Sequence, residues 1–164
     1  MNKKRFFALS VAAATFGVIG MTSVAWAVPT STHSGGAHAV QTGVVRIDPN
    51  NPQVAYVTGN YSCPPGPVHL FVSVKQVADG RPDRALKLEG SSQISSGYLE
   101  RHPGPDEITC DGTWHTGTWR ITSDPTDPDY EYGFGALVTG QVYVQFCWDG
   151  PDWHAWDEQF ARAA

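Results

Sequence analysis

Apolar and polar side chains alternate along most of this chain, the period of a strand with one buried face. In VAYVTGNYSC (54–63), Ala55, Val57, Tyr61 and Cys63 share one side and Thr58, Asn60 and Ser62 the other. HLFVSVKQ (69–76) sets Leu70, Val72 and Val74 against His69, Ser73 and Lys75. In GALVTGQVYVQFCW (135–148), Ala136, Val138, Val142, Val144 and Phe146 fall together, opposite Tyr143, Gln145 and Cys147, unless Gly140 marks a bulge that resets the phase. Shorter runs, GVVRI (43–47), ALKLEG (85–90) and TWRIT (118–122), read as further strands, and 91–107 as an edge strand followed by a long loop. Turn clusters separate them: DPNNP, CPPGP, ADGRPDR, HPGPD and SDPTDPDYEYG. Asp111-Gly112 is a hairpin signal. Near the C-terminus the period changes. Asp152 is placed to cap a short helix with Trp153, Trp156 and Phe160 on one face. Six to eight short strands with little helix predict an all-β protein, an antiparallel β-sandwich with a short C-terminal helix.

The first 27 residues stand outside this pattern. Lys3-Lys4-Arg5 precedes an apolar run from Phe6 to Met21, and Ala25-Trp26-Ala27 has the small-x-small form of a cleavage site, so 1–27 reads as a secretory signal peptide. The apolar run is short for a membrane span and no second one follows. Residues 28–42, rich in Ser, Thr, Gly and Ala, predict a flexible leader, 43–148 the β-domain, and 149–164 an aromatic and acidic tail. Cleavage would leave 137 residues, enough for one core. Of 164 residues, 11 are Lys or Arg and 16 Asp or Glu; losing Lys3, Lys4 and Arg5 leaves 8 basic against 16 acidic, a charge of −8. Such a balance argues against nucleic acid or an anionic membrane as partner.

Export changes how the three cysteines are read. An oxidising compartment favours one disulfide and one odd thiol, and no C-x-x-C spacing suggests zinc or redox chemistry. Strand parity turns Cys63 and Cys110 inward, Cys110 sharing a side with Ile108, and turns Cys147 outward. That points to a Cys63–Cys110 bridge, with Cys63–Cys147 as the rival because immunoglobulin-type sandwiches link distant strands. Cys147 then offers a disulfide to a second copy or another protein.

With Cys110 bridged, the cluster Cys110, Asp111 and His115 in EITCDGTWHTGTW (107–119) loses its nucleophile and reads as scaffold. His115 is expected to pack beside Trp114 or Trp119. The acids Asp124, Asp127, Asp129 and Glu131 fit Asp-Pro turns as well as a calcium loop, and Asp149, Asp152, His154, Asp157 and Glu158 match no metal-binding spacing. No catalytic group, metal or cofactor is therefore assigned. Trp148, Trp153, Trp156 and Phe160 form a candidate binding patch for a protein or carbohydrate, against the alternative that they fold over an open end of the sandwich. The expected activity is non-enzymatic surface binding outside the cell. The alternative is a small hydrolase or calcium-type protein using the acidic loops.

GNYSC (59–63), then TCDGTWH (109–115) with a tryptophan close behind, then Gly133 to Ala136 opening a final strand, resembles small secreted actinobacterial proteins grouped as a domain of unknown function. Their pattern runs G-x-Y-x-C, C-D-G-x-x-H-x-W, then a G-x-A strand. The resemblance covers Val54 to Phe146 and implies an immunoglobulin-like sandwich with the first two cysteines bridged; it implies no activity. This chain differs in placing Trp119 four residues after His115, and in adding Cys147 and the tryptophan-rich tail.

Overall fold

A computed structural model describes residues 36–88 and 90–164; the predicted signal peptide and the leader up to residue 35 lie outside them. The strands are β1 (His38–Gln41), β2 (Val44–Ile47), β3 (Val54–Ser62), β4 (His69–Gln76), β5 (Gly97–Arg101), β6 (His115–Thr122), β7 (Tyr132–Phe134), β8 (Gly140–Asp149) and β9 (His154–Ala163). Three single-turn 3-10 helices complete the elements, at Arg84–Lys87, Ser91–Ile94 and Pro105–Glu107.

β1 and β2 are two halves of one edge along β3, with Gln41 opposite Gly59 and Arg46 opposite Tyr56. Between them the chain turns at Gly43, whose φ of 74° suits glycine. Counted as one strand, this edge begins a circuit through β3, β6, β5, β4, β8 and β9 that returns to β2, closing a seven-strand barrel. Long antiparallel ladders join β3 to β6 and β4 to β8 to β9. Two thin seams complete the closure: the single pair Glu100–Thr122 between β5 and β6, and a short parallel contact of β2 with β9 at Val44–Arg162 and Val45–Ala163. Where β1 and β9 diverge, side chains replace the ladder. The Ala39 amide donates to Asp157 at 2.7 Å, and Gln159 Nε2 donates to the Gln41 carbonyl at 3.0 Å.

The all-β expectation holds, but one sheet closes on itself into a barrel where a two-sheet sandwich is expected, and several finer expectations change. The C-terminal segment is a ten-residue strand, not a helix, and it is the element that closes the sheet. Part of the predicted flexible leader, 38–41, is strand β1, held by its ladder to β3. The ALKLEG run forms a 3-10 turn instead of a strand. EITC is not a strand either, although Ile108 and Cys110 do pack against the core. The last long strand starts at Gly140; ahead of it Leu137 is buried and Val138 exposed, the reverse of the predicted phase.

Inside the barrel the predicted inward residues of β3, β4 and β8 are buried, Ala55, Val57, Tyr61, Leu70, Val72, Val74, Val142, Val144 and Phe146 among them. Trp119 and Trp148 fill the remaining volume, as a closed barrel of this size requires. Tyr61 lies between them, with ring centroids 5.6 Å from Trp119 and 5.8 Å from Trp148. Gly59 and Gly117 are cross-strand partners, and the Trp119 indole occupies the space their missing side chains leave. A Cβ at Gly117 would lie 2.5 Å from Trp119 Cζ2, so Gly117→Val is expected to destabilise by about 2–3 kcal/mol through overpacking. Chemical denaturation measures it, and a neutral result would mean the indole moves freely.

Candidate functional site

The disulfide joins Cys63 to Cys110, with Cα atoms 4.8 Å apart. Cys63 directly follows β3 and Cys110 precedes β6, its ladder partner, so the bond staples one end of two neighbouring strands and does not span two sheets. Asp111 sits in the connecting turn and accepts from the Thr113 amide at 2.8 Å, the Thr113 hydroxyl at 2.7 Å and His115 Nε2 at 2.9 Å. His115 in turn lies 5.6 Å from the Tyr61 ring. The would-be trio is a hydrogen-bonded turn with no free thiol.

The loop acids are similarly engaged. Asp127 and Asp129 both hold Arg120, and Asp124 accepts from the Thr126 amide and hydroxyl and from Asn51. Glu131 takes the His102 amide at 2.9 Å and pairs with its ring Nδ1 at 2.7 Å. In the tail, Asp149 pairs with His154. Among the described residues no group of three or more His, Cys, Asp or Glu is arranged to hold a metal ion.

Hydrogen bonds from His115 and Thr113 hold the Asp111 carboxyl down at about 2, and those from Thr126 to Asp124 and from Arg120 to Asp127 lower the other two. Each group thus has a folded pKa below its unfolded one, so its stabilisation is present above the unfolded value near 4 and is lost as pH falls through the folded one. The urea midpoint is expected to drop as pH is lowered from about 5 to about 2, and Asp111→Asn to flatten part of that fall. A midpoint independent of pH over that range would contradict the assignment.

The tail aromatics separate. Trp148 is fully buried in the barrel and belongs to no surface patch. Trp153, just ahead of β9, is partly buried against the core. Trp156 and Phe160 lie on the outer face of β9, Trp156 52% exposed and Phe160 half-buried. Cys147 also lies on the outer face, as parity predicts, and is half-buried.

That outer face, carried by β9, β8, β4 and β5, holds an arrangement that the strand readings did not reveal. One cross-strand row reads Trp156, Cys147, Phe71, a small residue between two aromatic ones. The next row reads Glu158, Gln145, Ser73, Glu100. The third reads Phe160, Tyr143, Lys75, Tyr98. The connection from β4 to β5 folds over the third row: Lys75 Nζ donates to Ser91 Oγ at 3.0 Å, Ser91 donates to the Leu86 carbonyl at 2.7 Å, and Lys87 stands 5.5 Å from the Phe160 ring. Leu86, Tyr98 and Tyr143 are buried there, outside the barrel core.

Burial lowers the Lys75 pKa against the opposing pull of Cys147, Glu158 and Glu100. Burial and then the adjoining carboxylates, Glu100 for Tyr98 and Glu158 for Tyr143, push both phenols up. Tyr98 hydrogen-bonds Glu100, and the Tyr143 hydroxyl faces the Glu158 carboxylate. Ser73 Oγ is buried with no hydrogen-bond partner, a rare state for a side-chain oxygen.

The Cys147 thiol is pushed up to about 11, first by burial and then by Asp149. Thiolate is the reactive form, so this thiol is a poor candidate for exchange with a second molecule. At pH 8 the native protein is expected to take up iodoacetamide about a hundredfold more slowly than the unfolded chain. Equal rates would place the thiol in the open.

Cys63 and Cys110 are covalently closed. The chain matches no family model and no curated protein.

Proposed function

We propose that this protein is a secreted, non-enzymatic binding module, related to the immunoglobulin-like exported domains its motifs resemble, that engages its partner through the outer face of β9, β8, β4 and β5. The observation that carries this reading is Trp156, 52% exposed on the outer face at the end of the cross-strand row Trp156–Cys147–Phe71. An indole held in the open beside polar neighbours offers a partner a large contact area at little ordering cost. Export is supported by the basic-apolar-small pattern of residues 1–27 and by the intrachain disulfide. Catalysis finds less support, because the acids proposed for it are held in turns and ion pairs.

Cosedimentation with intact cells of the organism that encodes the protein tests the reading. Trp156→Ala, on this face, is expected to reduce the bound fraction at least about fivefold, while Trp114→Ala, 61% exposed and outside this face, leaves it unchanged. Equal losses in the two variants, or none, would refute it.

A further inference from the structure

A cavity of about 630 Å³ opens at the seam where β1 and β9 part, within the size range of small-molecule sites. It lies between the Gly43 turn, the end of the β8–β9 ladder and the turn at Gly80, where the Gln141 backbone amide donates to the Gly80 carbonyl at 2.6 Å. A Cβ at Gly140 would fall 2.3 Å from that same carbonyl, so this wall is close-packed main chain and is fixed in place.

The charged residue that lines the cavity is Arg162, and no Asp or Glu lines it, on a chain with 16 acids. Arg162 is exposed and makes no hydrogen bond or ion pair among the described residues, whereas Arg101 and Arg120 are tied to Glu107, Asp127 and Asp129. Arg46 and Arg84 are unpaired too, but neither lines the cavity. The acids on the bordering segments are turned to other groups: Asp79 pairs with Arg81, Asp157 accepts from the Ala39 amide, and Glu158 faces the Tyr143 hydroxyl. Lys87, 5.5 Å from the Phe160 ring that forms part of the lining, adds a second positive charge nearby. The local field therefore favours an anion.

Gln141 stands directly across from Arg162 on β8, with a side-chain amide that has no partner among the described residues. A guanidinium fork beside an amide and the Thr139 hydroxyl is a donor set for one carboxylate. A phosphate dianion calls for more cations or for a helix N-terminus, and neither is present in this lining. Gln41 and Gln159 supply the opposite chemistry. Their Nε2 groups donate to the Thr42 and Gln41 carbonyls at 3.2 and 3.0 Å, which leaves each Oε1 as an acceptor.

We infer that this cavity binds a small monocarboxylate that also carries a hydrogen-bond donor, its carboxylate on Arg162 and Gln141 and its donor on Gln41 or Gln159. The site is independent of Trp156, so it goes beyond the binding face described above.

Amide NMR titration of the intact isotope-labelled protein with lactate, mandelate, N-acetylphenylalanine and galacturonate tests the assignment, with mandelamide, phenylacetate and phenyl phosphate as controls. At least one of the four carboxylates is expected to shift the Gly43, Gly80 and Gly140 amides and to leave Gly112, beside the disulfide, in place. Arg162→Gln should weaken that binding at least about tenfold without changing thermal stability, and Arg84→Gln should not weaken it. Added salt should weaken it as well. No shift from any of the four at about 10 mM, binding indifferent to Arg162, or mandelamide or phenylacetate binding as tightly as mandelate overturns the assignment. Tighter binding of phenyl phosphate than of every carboxylate overturns it too. The Trp156 variants in cosedimentation are a separate readout, so either reading can fall alone.

Discussion

Replacing Cys63 and Cys110 together by alanine is expected to lower the unfolding free energy by about 4 kcal/mol. The bridged positions are 47 apart in sequence, so the bond removes a large loop-closure entropy from the unfolded chain. For a domain of this size the loss corresponds to a fall in melting temperature of about 10–15 °C. The double variant is the correct probe, because a single substitution leaves Cys63, buried at the barrel end, as a free thiol beside Cys147 in the unfolded pool. Urea denaturation in a Cys147→Ser background keeps disulfide exchange out of the measurement. A cost below about 1 kcal/mol would mean that the β3–β6 ladder already restrains these ends in the unfolded ensemble.

The success of parity at the cysteines and its failure at the tail have one physical origin. A strand repeats every two residues, so any stretch that stays in phase tells which side chains share a face, and Cys63 and Cys147 both lie in or directly after such stretches. Trp156 and Phe160 are four apart, a spacing that places two residues on one side of a strand and also on one side of a helix. The residues that share the inward parity on β9 are Ala155, Asp157, Gln159, Ala161 and Ala163, small or polar side chains that do not register as an apolar stripe. The alanines are small because the space inside the barrel is taken by Trp119 and Trp148 from other strands. β1 escaped notice for a similar reason: its buried apolar residue is Ala39, set in a Gly- and Ser-rich context.

Closure itself depends on register, which no local pattern carries. The parallel contact of β2 with β9 links residues near opposite ends of the domain, and the Trp156–Cys147–Phe71 row combines three strands. Each of those side chains could be assigned to an outer face from its own strand. Their adjacency exists only after the ladders fix which residues stand opposite one another. The same holds for Ser73, which reads in sequence as an ordinary wet-face serine and is fully buried in the assembled sheet between Gln145 and Glu100.

Trp148 provides the clearest separation of core from surface, since the sequence groups it with the tail aromatics and it lies wholly inside the barrel. Its ladder neighbours are Leu70 and Ala155, and Tyr61 packs against its ring. Trp148→Ala is expected to cost about 4 kcal/mol, the sum of lost apolar burial and an unfilled cavity. Trp148→Phe should cost far less than its loss of volume suggests. The indole Nε1 is buried without a hydrogen-bond partner, so the substitution also removes an unsatisfied donor and recovers part of the packing loss. Chemical denaturation of the two variants beside Trp156→Ala orders the three sites. A surface role for Trp148 requires its alanine variant to stay within about 1 kcal/mol of the parent. A core role requires the alanine variant to be the least stable of the three, with phenylalanine restoring most of the difference, because only a closed interior distinguishes an aromatic ring of the wrong size from no ring at all.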